Sequence, residues 1–209
     1  MLEFLAKGGK LMYPLGFFSV VALGVVLEKL WALRGTRVLG REVSSVIEEI
    51  DSPEDFERAR VVCVKYPGPL ARIVEIALRR FPEGNEALRE GVLEAGRGEA
   101  RGLERYLVVL ETIAVTAPLL GLLGTVFGMI KTFTAISVEG IGQAGALSGG
   151  ISEALITTAV GLSIGVPALI AFNLLEARVE GLAAGLESRA GRLVARLEKI
   201  QSERTGGSS

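Results

Sequence analysis

The sequence predicts an all-α integral membrane protein with three transmembrane helices, two of them extended into a cytoplasmic helical bundle. Three observations point there. Residues 11–27, 112–130 and 154–175 contain no charged side chain, and a spanning helix needs about 20 apolar residues. The 209 residues are 49% hydrophobic, with a mean hydropathy of +0.44, more apolar than soluble domains usually run. The remaining segments are charged, and their apolar residues recur at helical spacing.

Taken in order, residues 1–10 are an extracytoplasmic lead-in. Residues 11–33 form the first transmembrane helix, with Pro14 in its first turn, where a missing N–H matters least. Glu28, Lys29 and Trp31 suit its membrane interface. Lys7 and Lys10 ahead of an apolar run imitate a signal peptide, but the run is long and no small-residue cleavage pattern follows. An uncleaved helix is expected.

Residues 34–105 form a cytoplasmic helical segment. Val38, Val43, Val46, Ile47 and Ile50 make one apolar stripe. Ser52-Pro53-Glu54-Asp55 reads as a helix start with Ser52 as the cap, and Tyr66-Pro67-Gly68-Pro69 ends that helix. Leu70, Ile73, Val74, Ala77, Leu78 and Phe81 make another stripe. Cys63, the single cysteine, excludes an internal disulfide and reads as a core thiol. Asn85 is a candidate cap for a helix with no break signal ahead of the second apolar segment, so one continuous rod over about 85–134 is expected. Gly91, Gly96, Gly98 and Gly102 weaken it, and close helix packing is the expected compensation.

Residues 106–134 form transmembrane helix 2, residues 135–152 an extracytoplasmic turn rich in Gly and Ser, and residues 153–175 transmembrane helix 3. Residues 176–209 are a cytoplasmic C-terminal helix, with Leu182, Leu186, Leu193, Val194 and Leu197 inward, ending in a disordered tail from Arg204. Residues 34–105 carry thirteen Lys and Arg, residues from 176 onward six, and residues 132–152 none. The positive-inside rule therefore puts the long segment and the C-terminus in the cytoplasm and the N-terminus outside.

Composition excludes several functions. The net charge of −1 and the lack of basic runs argue against nucleic acid, and a chain without His and with one Cys has no ordinary zinc set. Gly140-Ile141-Gly142-Gln143-Ala144-Gly145 matches a dinucleotide fingerprint but follows a membrane helix rather than a strand. Gly161-Leu162-Ser163-Ile164-Gly165 matches a nucleophile elbow but has no histidine base and lies inside an apolar helix. Helix packing through Gly161 and Gly165 is the simpler reading. No enzyme activity, metal or cofactor is expected.

Polar groups at membrane depth mark pathways. Thr125, Glu153, Thr157 and Thr158 are the candidates, with Glu111 at the cytoplasmic boundary of helix 2. Pro118 and Pro167 each free a carbonyl four residues back, at Ala114 and Ser163, and that group needs a partner in lipid. Gly121, Gly124 and Gly128 allow another helix to approach closely.

The segment Leu110-Glu111-Thr112-Ile113, with Ala117-Pro118-Leu119-Leu120-Gly121-Leu122-Leu123-Gly124-Thr125-Val126-Phe127-Gly128-Met129, resembles the second membrane helix of the MotA/TolQ/ExbB proton channel family. The segment Ile151-Ser152-Glu153-Ala154-Leu155-Ile156-Thr157-Thr158-Ala159-Val160-Gly161-Leu162, with Val166-Pro167-Ala168 and Phe172-Asn173, resembles its third. Three spans and 209 residues are closest to the ExbB/TolQ branch.

The resemblance implies a subunit of a bacterial inner-membrane motor. Five copies would form a ring lined by helices 2 and 3. Two copies of an ExbD/TolR-like single-span partner would sit in the pore and carry a membrane aspartate. A TonB/TolA-like transducer would receive the work, for outer-membrane transport or envelope integrity. It also implies that Thr125 and Thr158 face the aspartate, that Glu153 lies near the outer end of helix 3, and that Pro118, Pro167 and Asn173 match family positions. Thr157 departs from the pattern, which has a small apolar residue there. The alternatives are a stator of another rotary or gliding motor, or a non-conducting scaffold.

Overall fold

The computed structural model describes residues 8–139 and 144–206, and the described residues outside turns are helical. The helices are α1 (Met12–Ala32), α2 (Gly35–Val38), α3 (Arg41–Glu49), α4 (Asp55–Lys65), α5 (Pro69–Arg80), α6 (Asn85–Glu104), α7 (Leu107–Glu139) and α8 (Ala144–Gly206), with a 3-10 turn at Phe81–Glu83. Three helices are long and apolar enough to cross a membrane. They form the membrane part of an all-α protein.

The chain divides into two units. One, the apolar unit, holds residues up to Glu28 and Tyr106–Leu175; the other, the polar unit, holds Lys29–Arg105 and the chain from Glu176 onward.

In the polar unit the helical stripes become the core. Val38, Val43, Val46, Ile47 and Ile50 are buried, as are Leu70, Ile73, Val74, Ala77, Leu78 and Phe81. From α8, Leu182, Leu186, Leu193 and Leu197 are buried, while Val194 is half-buried. Gly40, at φ 40°, turns the chain between α2 and α3. Pro69 begins α5 at the first helical position, as the turn signal before it predicts.

Long side chains close several helix ends in this unit. A helix leaves its last four carbonyls unpaired, and cations near them also meet the negative end of the dipole. Lys29, 2% exposed, donates to the Leu103 carbonyl at 2.8 Å near the end of α6. Arg178 donates to the Leu33 carbonyl just past α1, at 2.9 Å. Arg196 reaches the Ile50 carbonyl at the end of α3, at 3.4 Å, and Gln201 the Phe81 carbonyl after α5, at 3.0 Å. Lys29 is thus an internal carbonyl partner rather than the exposed interface residue its position suggests.

Several local expectations change. The rod expected over 85–134 is interrupted: α6 ends at Glu104, and Tyr106 takes φ 71° before α7 begins. A bulky residue in the left-handed region costs of order 1–3 kcal/mol, and no sequence signal marks it. The break coincides with the boundary between the two units.

Helix 3 starts at Ala144, so most of the expected 135–152 turn is helical. The dinucleotide-like match falls largely on residues 140–143, outside the described residues. Ser52 is not the cap of α4. The Asp55 carboxylate instead accepts from the Asp51 and Ser52 amides at 3.1 and 3.0 Å, which holds its carboxyl below the ordinary 3.8. Asn85 is the first residue of α6 and makes no side-chain cap; Gly84, at φ 103°, precedes it. Among the α6 glycines only Gly91 has a close neighbour, the Arg80 stem; Gly96, Gly98 and Gly102 face open space. Helix α8 runs to Gly206, so the tail expected to be disordered from Arg204 is helical for three residues more.

Cys63 is buried, and burial pushes its thiol up from 9.0 to about 11, with Glu75 adding repulsion. At pH 8 its thiolate fraction falls about a hundredfold. Alkylation of the native chain should be at least that much slower than of the denatured chain; equal rates in a stopped-time mass assay would contradict the packed position.

Candidate functional site

The residues singled out from the sequence converge on the antiparallel pair of α7 and α8 within the apolar unit. In hydrocarbon, apolar side chains gain nothing by meeting each other rather than lipid, so helix pairing depends on close van der Waals fit and polar bonds. Glycine supplies the fit. A methyl at Gly128 would stand 2.7 Å from both the Ala154 methyl and the Gly150 carbonyl oxygen. At Gly124 it would stand 2.5 Å from the Thr157 methyl. At Gly161 it would stand 2.6 Å from the Ala117 carbonyl oxygen and 3.0 Å from the Gly121 Cα. At Gly165 it would enter the Pro118 ring and lie 3.0 Å from the Ala114 carbonyl oxygen. The seam is therefore backbone against backbone at Gly121 and Gly161.

Pro118 frees the Ala114 carbonyl, and Gly165 is the residue brought against it. The nucleophile-elbow match is accounted for here: Gly161 and Gly165 both lie in the seam, and the Ser163 hydroxyl bonds the Ala159 carbonyl of its own helix. Pro167 and Asn173 lie on exposed positions of α8, and Glu111 is exposed on α7.

The hydroxyls divide into distinct cases. Thr125 is half-buried and donates to the Leu122 carbonyl at 2.6 Å, within its own helix. Thr158 is half-buried and donates across the seam to the Gly121 carbonyl at 2.8 Å. The close approach at Gly121 and Gly161 brings this hydroxyl within reach of the neighbouring helix's backbone. Thr157 is 1% exposed; its proton is shared between the Glu153 carbonyl at 2.8 Å and the Gly8 carbonyl at 2.9 Å. Its methyl fills the notch at Gly124. Thr157 thus packs against α7 and also bonds the segment ahead of α1.

Glu153 is half-buried and pairs with Lys131, whose Nζ lies 2.7 Å from each carboxylate oxygen. Gly9, at φ 69°, runs so close over the same carboxylate that a methyl there would collide with Oε1. Gly8, Lys10 and Leu11 with α7 and α8 line an open cavity of about 350 Å³, whose charged groups among the described residues are Lys10, Lys131 and Glu153.

Sequence reasoning missed Lys131, Gly8, Gly9 and Thr132. A usable signal existed for Lys131. It is the lone charge between Glu111 and Glu139, and a charge on an apolar helix needs a partner. Thr132, 4% exposed, bonds the Gly128 carbonyl at 3.0 Å and faces Gly150.

Residues 67–188 match the MotA/TolQ/ExbB proton channel family. The chain is 37% identical over 179 residues to a Synechocystis sp. protein named ExbB-like 1 among biopolymer transport proteins, covering 83% of this chain and 69% of that one. It is 27% identical over 181 residues to the Tol-Pal system protein TolQ of Haemophilus influenzae, covering 79% and 77%. It is 39% identical over 97 residues to the biopolymer transport protein ExbB of Xanthomonas campestris, covering 46% and 37%.

Gly161→Ala should force the two helices apart, because the obstructing atoms are backbone. Overpacking of this kind costs about 1–3 kcal/mol. The detergent-solubilised variant should melt several degrees below wild type, while Gly145→Ala, which meets no neighbour, should not. Equal melting of the two variants would show that the seam is loose.

Proposed function

Because this chain belongs to the MotA/TolQ/ExbB proton channel family, we propose that it is the pore-forming subunit of an inner-membrane motor driven by the proton motive force. Five copies form a ring, with the paired α7 and α8 of each copy facing a central pore. Two helices of an ExbD/TolR-like partner occupy the pore and carry the acidic group that takes and releases protons. A TonB/TolA-like transducer receives the work. Lys and Arg placement supports an extracytoplasmic N-terminus, with the polar unit and the C-terminus in the cytoplasm.

The observation that carries this reading is the Gly121–Gly161 seam with Thr158 bonded across it. It supports the reading because it holds a polar side chain on the apolar helix pair proposed to line the pore. The hydroxyl bonds give the chemistry a direction. Thr158 spends its proton on the Gly121 carbonyl and Thr125 spends its own on the Leu122 carbonyl. Each oxygen keeps lone pairs and can accept from a protonated acid or a water. To donate to an ionised acid, each must first leave its carbonyl. The resting wall therefore favours the protonated partner. Loss of the proton calls the threonines away from the backbone, and that change couples charge to helix position. One charge crossing 100 mV makes about 2.3 kcal/mol available for the movement.

Thr125→Val tests this with least damage, since its bond stays within one helix. Proton flux in proteoliposomes holding the chain and its single-span partner should fall at least about tenfold, with the melting temperature unchanged. Thr158→Val should lose flux and some stability, and Thr158→Ser should keep both. Full flux in both valine variants would leave a scaffold that merely assembles the complex. Native mass spectrometry should give five copies with two of the partner; a monomer or dimer that ignores the partner would remove the shared pore.

A further inference from the structure

The cavity at the Glu153 end of the seam carries information on which ion the pathway accepts. Among the described residues its charged groups are one carboxylate, Glu153, and two ammonium groups, Lys10 and Lys131. Leu11, Phe127 and Ile130 supply carbon. The Thr157 hydroxyl also borders it, with its proton committed to the Gly8 and Glu153 carbonyls. Around this carboxylate α7 contributes Lys131, the segment before α1 contributes Lys10, and α8 contributes Glu153 itself.

A dehydrated metal cation needs several oxygen ligands, and filters that select cations present rings of carbonyls or carboxylates. Here the Glu153 carboxylate has both oxygens forked by one ammonium at 2.7 Å. A metal ion would have to displace an ammonium tethered to the adjoining helix, whose effective concentration is set by the fold and not by the solution. The second ammonium, Lys10, opposes the same entry. A proton meets no such obstacle. It needs no ligand shell and passes between water, hydroxyl and carboxyl by exchange of hydrogen bonds. Two contacts hold the carboxylate's surroundings in place: Thr157 bonds the Gly8 carbonyl, and Gly9 arches over the carboxylate.

Resting on the proton-motor reading above, we propose that Lys131 is a specificity-determining residue: by occupying Glu153 in a vestibule of net positive charge, it excludes Na+ and restricts the pathway to protons. The residue acts by holding a site that a metal ion would otherwise take.

The test is flux in proteoliposomes of the full chain with an ExbD/TolR-like partner, loaded with a pH-sensitive dye and, in parallel, a Na+-sensitive dye. Wild type should pass protons and give no Na+ signal above empty vesicles. Lys131→Met should admit Na+ at least about tenfold above wild type, and Lys131→Met with Glu153→Gln should close it again. Lys131→Gln provides a second neutral replacement. The exchanged pair Lys131→Glu with Glu153→Lys should stay closed to Na+, which separates charge pairing from damage to the fold. Na+ uptake by wild type, or a Na+-tight Lys131→Met and Lys131→Gln that still pass protons, would overturn this inference alone. Absence of proton flux in wild type would overturn the motor reading and this inference with it.

Discussion

The apolar unit depends on one constraint: α7 and α8 approach until backbone meets backbone at Gly121 and Gly161. Nothing hydrophobic drives that approach within lipid. It exists because glycine removes the side chain at each crossing point, and because each remaining group fits a gap left by the partner. Thr157 fills the notch at Gly124, Gly165 meets the Pro118 ring, and Thr132 lies over Gly150. The same closeness brings the Gly121 carbonyl within reach of Thr158. Packing and polar chemistry here are one arrangement, and a larger residue at Gly161 would disturb both.

The polar unit is held by different physics. Its apolar stripes exclude water in the ordinary way, and Leu186, Leu193 and Leu197 of α8 lie wholly inside. Its polar bonds concentrate at helix ends. Arg178, Arg196 and Gln201 reach carbonyls at the ends of α1, α3 and α5 in turn. Arg189 adds a bond to Ser44 at 2.9 Å. Exposed ion pairs such as Arg89 with Glu198 add modestly at best, whereas an unpaired carbonyl in a buried end would cost about 1–3 kcal/mol.

The hydroxyl bonds link these structural facts to the proposed function. Threonine in an apolar helix usually bonds its own backbone, and Thr125 and Thr132 do. Thr158 does not. A donor committed to a carbonyl is a latent donor, and the acceptor side of the same oxygen stays open. In the proposed pore, that asymmetry is what would let threonines distinguish a protonated acid from an ionised one. Glu153, the titratable group in the seam, is already occupied by Lys131.

Much of this was legible in the sequence, since the reasons are local. Uncharged runs mark the three apolar helices, helical spacing marks the stripes that become the polar core, and Gly121, Gly124, Gly128, Gly161 and Gly165 announce a close helix pair. The register of that pair was not legible. Which glycine faces which depends on how the two helix surfaces fit, and no single segment shows that. The break at Tyr106 carries no glycine or proline to betray it: the left-handed turn falls on a bulky residue, where the chain passes from one unit to the other. Lys131 and Glu153, twenty-two positions apart, become partners only once α7 and α8 run antiparallel. Gly8 and Gly9 matter only once they lie against Thr157 and Glu153. Periodicity and composition are properties of a segment and can be read along the chain. Long-range pairing is a property of two segments, and it is settled by which backbone surfaces fit when the helices meet.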